Sequence, residues 1–258
     1  MAYENLIFEV EEKIALITMN RPKALNALNN DLLNDLNNAL GEVESTAAIK
    51  GAIITGAGKA FVAGADISQM ASYNPEESRV YMGYAQKIFN RIEAVEKPIM
   101  AAVNGFALGG GNELCMACDF RYAGEKAVFG QPEVKLGIMP GFGGSQRLPR
   151  LVNPGIAKEI LFSGRNVSAE EALRIGLVSK VCPQDDLLNE SKAIMKTIIS
   201  YPAHSLRYCK VAVNRGMDTD LYKGIGLELE LISLCFASPD QKEGMNAFLE
   251  KRPAQFQS

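Results

Sequence analysis

Two glutamates stand where acid–base chemistry could be done. Glu113 lies in ALGGGNELCMACD (107–119), directly after three glycines and just inside a helical pattern. Glu133 lies in FGQPEVKLGIMPGFGG, among glycines and prolines, with Pro132 restraining the backbone before it. Glycine loses much conformational freedom on folding, so three in a row imply a ligand that needs the backbone, tight packing, or simple flexibility. A Gly-rich helix start also exposes unpaired N–H groups at the positive end of the helix dipole, where an oxyanion can be held. A pair of carboxylates can move protons without metal or histidine. Taken singly, each glutamate fits an ordinary helix or loop.

Other chemistries have less support. His204 is the single histidine, so any Ser–His–Asp or Cys–His arrangement would have to use it. It sits in YPAHSL at a helix start, far in sequence from the Gly-rich loops, and reads as structural or surface. CMAC (115–118) has redox or zinc spacing, but Cys182, Cys209 and Cys235 are single and distant, and a zinc site needs four ligands. Cys115 and Cys118 read as buried thiols. GAGKAF (56–61) lacks the full phosphate-loop pattern. No metal site is expected.

The elements that must position these residues follow from periodicity. Residues 5–20 read as a hairpin, with Leu6, Phe8 and Val10, then Ile14, Leu16 and Thr18, in alternation. NRPKALNALNN (20–30) reads as a loop. From Asp31 the pattern turns helical, with Leu32, Leu33, Leu36, Leu40 and Val43 on one face. GAIIT (51–55), PIMAAV (98–103) and FRYAG (120–124) read as strands, with helices over 76–94 and from about Gly110. FVAGADIS (61–68) fits neither period. This alternation implies an α/β core with a parallel sheet and right-handed crossovers. In VSAEEALRIGLVSKV (167–181), Ser168 and Glu171 match a capping box and Gly176 a helix-ending glycine. Beyond about residue 185 everything reads as helical. Leu221, Ile225, Leu229, Ile232 and Phe236 share a face, and Ser238, Pro239 and Gln241 start a further helix. The expected division is an α/β core over 1–200 and a helical region over 201–258 that packs or oligomerises.

The 258 residues suffice for one large domain or a domain with an appendage. Net charge is −3, from 27 basic and 30 acidic residues, so no nucleic-acid footprint is expected, and no basic amphipathic run marks a membrane surface. No apolar run is long enough to span a bilayer. MAYENLIFEV lacks the layout of a signal peptide, and five scattered cysteines suit reduced thiols. The expected location is cytoplasmic, with a mature organellar form also compatible.

Four separated motifs, NRPKALNAL (20–28), AFVAGADI (60–67), AAVNGFALGGGNEL (101–114) and FGQPEVKLGIMPGFGGSQRL (129–148), with AFLEKRPAQF (247–256) at the end, together resemble the enoyl-CoA hydratase (crotonase) family over nearly the whole chain. The resemblance implies a spiral of ββα repeats with a helical C-terminal trimerisation region. It implies a homo-oligomer, trimer or dimer of trimers, whose C-terminal helices complete the acyl-CoA pocket. It carries over Glu113 and Glu133 as catalytic carboxylates, without saying which is acid and which base, although Glu133 is the family's usual α-proton donor. The backbone N–H groups of Ala65 and Gly110 match the family's oxyanion hole. Lys23, Ala24, Leu25, Ala63, Asp66 and Ile67 match the segments that cradle coenzyme A.

The implied reaction is reversible addition of water to a short-chain trans-2-enoyl-CoA such as crotonyl-CoA, equivalently dehydration of 3-hydroxybutyryl-CoA. It needs no cofactor, since coenzyme A is part of the substrate. An isomerase or another enolate-forming acyl-CoA enzyme is the rival within the family; a non-catalytic thioester or RNA binder is a rival of another class. Asn112 stands where many hydratases have Cys, and Ser68 where some relatives have Lys. Residues 69–84 and the C-terminal residues are expected to shape the far wall of the pocket, with Met70 and Tyr73 either closing it or simply packing.

Overall fold

The computed structural model describes residues 3–257; Met1, Ala2 and Ser258 lie outside the described residues. The N-terminal hairpin is β1 (Leu6–Glu11) and β2 (Ile14–Met19), antiparallel, with Leu6 opposite Met19. A 3₁₀ turn at Pro22–Ala24 leads to α1 (Asn30–Ser45). Asn29 caps α1 by accepting from the Leu32 N–H, and the expected face is fully buried. Burying each of those Leu and Val side chains contributes about 1.5–3 kcal/mol as an upper bound.

Next come β3 (Gly51–Gly56), β4 (Ala60–Val62), α2 (Ile67–Met70) and α3 (Pro75–Ala94). Asn74 and Glu77 form a reciprocal capping box at the start of α3, with Pro75 in its first turn. Then follow β5 (Ile99–Val103), β6 (Phe106–Leu108), α4 (Gly110–Ala117), β7 (Phe120–Gly124) and β8 (Val128–Gly130). A 3₁₀ helix at Pro132–Leu136 precedes α5 (Gly144–Val152) and α6 (Pro154–Ser163). β9 (Asn166–Ser168), α7 (Ala169–Arg174), β10 (Lys180–Cys182) and α8 (Leu187–Ile199) complete the core, and α9 (Ala203–Gly216), α10 (Leu221–Cys235) and α11 (Pro239–Leu249) end the chain.

Residue patterns implied one parallel sheet; the structure has two. Six strands run β1-β2-β3-β5-β7-β10, parallel from β2 onward. Four short strands run β4-β6-β8-β9, with β4-β6-β8 parallel and β9 antiparallel. After the N-terminal hairpin, which lies wholly in the large sheet, the pairs β3/β4, β5/β6 and β7/β8 each place their first strand in the large sheet and their second in the small one, as the spiral requires. The second strands have three residues each, too short to show a period, which is why FVAGADIS fitted neither pattern.

β5 reads as an unbroken apolar run because both faces are covered. Ile99, Ala101 and Val103 face the main core, while Met100 and Ala102 join Leu187 and Met195 of α8. α4 packs against β4 and β6 on one side and β5 and β7 on the other, with every residue buried.

The capping box at Ser168 is only half formed. Ser168 Oγ accepts from the Glu171 N–H at 3.1 Å, but the Glu171 carboxylate is taken by Arg165 at 2.8 and 2.9 Å. A bidentate charge-assisted pair outcompetes one bond to a backbone amide. α9 and α10 bury no residue fully, and Leu221, Ile225, Leu229, Ile232 and Phe236 are all exposed. Lys210 ties α9 to the core through Asp119 at 3.0 Å and the Ile92 carbonyl at 3.1 Å.

Candidate active site

The three glycines answer to geometry. Gly109 holds φ +50° and ψ −121°, a conformation barred to other residues, and a Cβ there would come within 3.1 Å of Glu133 Oε1. A Cβ on Gly111 would lie 1.8 Å from the Val62 carbonyl oxygen, so α4 can press against β4 only through glycine. The run thus swings the chain from β6 into α4 and brings the start of the helix up to the small sheet.

A cavity of about 150 Å³ opens at that helix start. Ala63, Ala65, Ile67, Gly110, Glu113 and Glu133 all line it. Leu28 pairs with Ala65 as a parallel bridge: the Leu28 N–H donates to the Gly64 carbonyl, and the Asp66 N–H to the Leu28 carbonyl. That pairing uses the amides on either side and directs the Ala65 N–H away from the bridge. The Gly110 N–H is the first of α4 and has no intrahelical acceptor.

Glu113 is 1% exposed, and its Oε1 accepts from the Phe142 N–H at 2.8 Å and the Gly144 N–H at 2.6 Å. Burial pushes its carboxyl up to about 7; the Glu133 charge adds to the rise, while the two amides and Arg147 oppose it. Glu133 is buried in the 3₁₀ helix after β8, and its Oε2 has no protein partner. Burial raises this carboxyl too. Two glutamates with different surroundings therefore face one space. Gln131, fully buried, sets its side-chain amide against the Gly109 and Gly130 carbonyls, which its nitrogen meets at 3.0 Å each in the orientation that satisfies both ends of the amide.

Lys23, Ala24, Leu25 and Asp66 do not enter the cavity wall. Lys23, Ala24 and Leu25 form an exposed strip beside it, joined by the bond from the Ala63 N–H to the Leu25 carbonyl at 3.0 Å. The Asp66 carboxylate is engaged by Ser68 Oγ at 2.6 Å and Arg21 at 3.1 Å, which hold it below the usual carboxylate range. Buried Asn26 organises this corner: its side-chain nitrogen donates to the Ala57, Ala60 and Phe61 carbonyls. The Asn-rich composition of the loop was its one sequence signal.

The far wall is Met70, Met82, Leu108, Leu136, Ile138, Met139 and Phe142. Met70 lines the space, whereas Tyr73 packs edge-on against Tyr81 and meets Gln69. Cys115 and Cys118 are buried as expected, and burial pushes the Cys115 thiol up to about 12. His204 sits in the first turn of α9, edge-on to Tyr208.

Fold and site together define the class: the chain belongs to the enoyl-CoA hydratase/isomerase family, whose model matches residues 9–258. It is 54% identical to a crotonyl-CoA hydratase of Syntrophomonas wolfei, over 99% of each chain. It is 51% identical to a short-chain-enoyl-CoA hydratase of Clostridium acetobutylicum, over 98% of this chain and 97% of that one. The crystal structure of an enoyl-CoA hydratase from Bacillus anthracis superposes with a TM-score of 0.94 at 38% identity, covering 98% of this chain and 99% of the other.

Proposed function

We propose that this chain is a short-chain enoyl-CoA hydratase, interconverting a trans-2-enoyl-CoA such as crotonyl-CoA with its 3-hydroxyacyl-CoA. One observation carries the reading: two buried glutamates and the residues bearing two outward amides line a single small cavity. As water adds to the β-carbon, electrons move to the thioester oxygen. Two N–H donors, Ala65 and Gly110, stabilise that oxygen more in the enolate-like state than in the substrate. Losing one such donor typically raises the barrier by about 3–4 kcal/mol.

Glu113 is the base. Two amides on Oε1 favour its ionised form, which takes the proton from water as oxygen attacks. Glu133 is the acid. Its unpartnered, buried Oε2 suits the protonated form, which delivers its proton to the α-carbon. The proton gained by Glu113 and lost by Glu133 returns through solvent, and the same groups run the dehydration in reverse. Coenzyme A arrives with the substrate, its thioester beside the Lys23–Leu25 and Ala63–Ile67 strips, and no further cofactor is required. The α10 face packs against other copies of the chain, and the assembly is a trimer or a dimer of trimers.

Loss of crotonyl-CoA conjugation, followed by ultraviolet absorbance, tests the reading. Glu113→Gln and Glu133→Gln are each expected to lower kcat by about 10²–10⁴-fold, the range of positioned acid–base groups. Wild-type turnover in both would end the two-carboxylate mechanism. A product with a shifted double bond and no hydroxyl would make the enzyme an isomerase instead.

A further inference from the structure

The two amides that hold Glu113 belong to a turn whose outer side is tied down by polar side chains far from the cavity in sequence. Arg147, in the first turn of α5, spreads its guanidinium over four acceptors. Nε and Nη2 meet the Glu93 carboxylate at 2.7 and 3.0 Å, Nη2 meets Asn90 Oδ1 at 2.7 Å, and Nη1 donates to the Phe142 carbonyl at 3.0 Å. Gln86 donates to the Gly141 carbonyl at 2.7 Å. Gln86, Asn90 and Glu93 are spaced i, i+4, i+7, one stripe along α3.

Both peptide units that donate to Glu113 are thus loaded at their other end. The 141–142 peptide receives Gln86 on its oxygen and gives its N–H to Glu113. The 143–144 peptide receives the Gln146 and Arg147 N–H groups on its oxygen, both at 2.9 Å, and gives its N–H to Glu113. Hydrogen bonds in series polarise one another, so each amide becomes a stronger donor.

We propose that Arg147 is a positioning residue for the Glu113 carboxylate, acting through the Phe142–Gly144 turn that it and Gln86 tie to α3. Arg147 never touches the cavity, since it is absent from its wall. It acts by geometry, fixing the turn, and by charge. The charged groups that bear on Glu113 are Glu133 from the 3₁₀ helix, which opposes its ionisation, and Arg147 from α5, which favours it; Glu93 reaches it only through Arg147. Removing the cation must therefore move the Glu113 titration to higher pH.

The inference rests on Glu113 acting as the base, so its test has one arm that needs no turnover. In that arm the carboxyl C=O stretch is followed by infrared difference titration on the ligand-free protein, with Glu113→Gln as the blank. Arg147→Met is expected to raise the Glu113 midpoint by about half a pH unit or more, the direction set by loss of a nearby opposite charge. Arg147→Lys keeps the charge without the fork and is expected to return the midpoint towards wild type.

In the activity arm, Arg147→Met should lower kcat with crotonyl-CoA about tenfold, leave KM within about twofold, and carry the limb of the pH–rate profile that reports Glu113 upward with the infrared midpoint. Gln86 is exposed, so Gln86→Met offers a variant with little risk to folding; it should move the midpoint in the same direction by less. An unmoved midpoint in both Met variants overturns the proposal, as does a loss in Arg147→Met that falls wholly on KM. A shifted midpoint with an unshifted activity limb supports the positioning role and overturns the assignment of Glu113 as base.

Discussion

Glu113 costs the fold stability once it ionises. Its carboxyl titrates near 7 in the native state against an ordinary 4.5, so between those values the native protein binds more protons than the unfolded chain. Its contribution to stability is full below the lower value and is lost as pH rises through the upper one, about 3 kcal/mol in all. Gln cannot ionise yet can still accept from the Phe142 and Gly144 amides. Glu113→Gln is therefore expected to melt at a higher temperature than wild type at pH 8, with the gap closing towards pH 4.5. Parallel thermal melts across that range check it, and a pH-independent gap would rule out the burial account. In turnover, one carboxyl must be ionised while the other keeps its proton, so kcat for hydration should follow a bell in pH.

At the scale of elements, α4 is the part on which the site depends. Arg121, itself buried, donates to the Leu177 carbonyl and to three carbonyls at the end of that helix, Cys115, Met116 and Cys118, and so closes its C-terminus. The other end depends on glycine. Gly111→Ala would force α4 away from β4, since no side-chain rotation relieves a contact with the Val62 backbone. It should cost roughly 3 kcal/mol or more and appear as a large fall in melting temperature or loss of soluble protein. Gly109→Ala strains one turn beside Glu133. Its cost should fall near 1–3 kcal/mol, with a loss of kcat out of proportion to the loss of stability. Comparable effects on both readouts for the two variants would show that the run serves packing alone.

The whole molecule leaves one surface unexplained by its own core. Leu221, Ile225, Leu229 and Ile232 along α10, and Phe236 at its end, are each at least half exposed, and Phe248 and Leu249 of α11 are exposed as well. A contiguous apolar face of this kind marks an interaction surface. The proposed trimer or hexamer accounts for it, and Leu229→Asp with Ile232→Asp is expected to yield a smaller species by sedimentation velocity. If the wild type sediments as a monomer, self-association is not what covers this face. Among the described residues, no helix is long and apolar enough to cross a membrane.

What the sequence determined was whatever local chemistry or long periodicity could express. The hairpin, the buried face of α1, the apolar run of β5 and the helical C-terminal third followed from spacing alone, because each depends on neighbours within a few turns or strands. The glutamate pair was visible as a residue type beside glycine, and four motifs in order gave the family. Tertiary structure decided the rest. The three-residue strands of the second sheet exist only because β4, β6, β8 and β9 find one another. The capping role of Arg121, the corner built on Asn26 and the turn that holds Glu113 each join residues separated by tens of positions. Nothing local marks Gln86, Asn90, Glu93 and Arg147 as one cluster behind the turn that holds Glu113. The ionisation of Glu113 is set by burial and by donors from another part of the chain, and those fields exist only once the chain has folded.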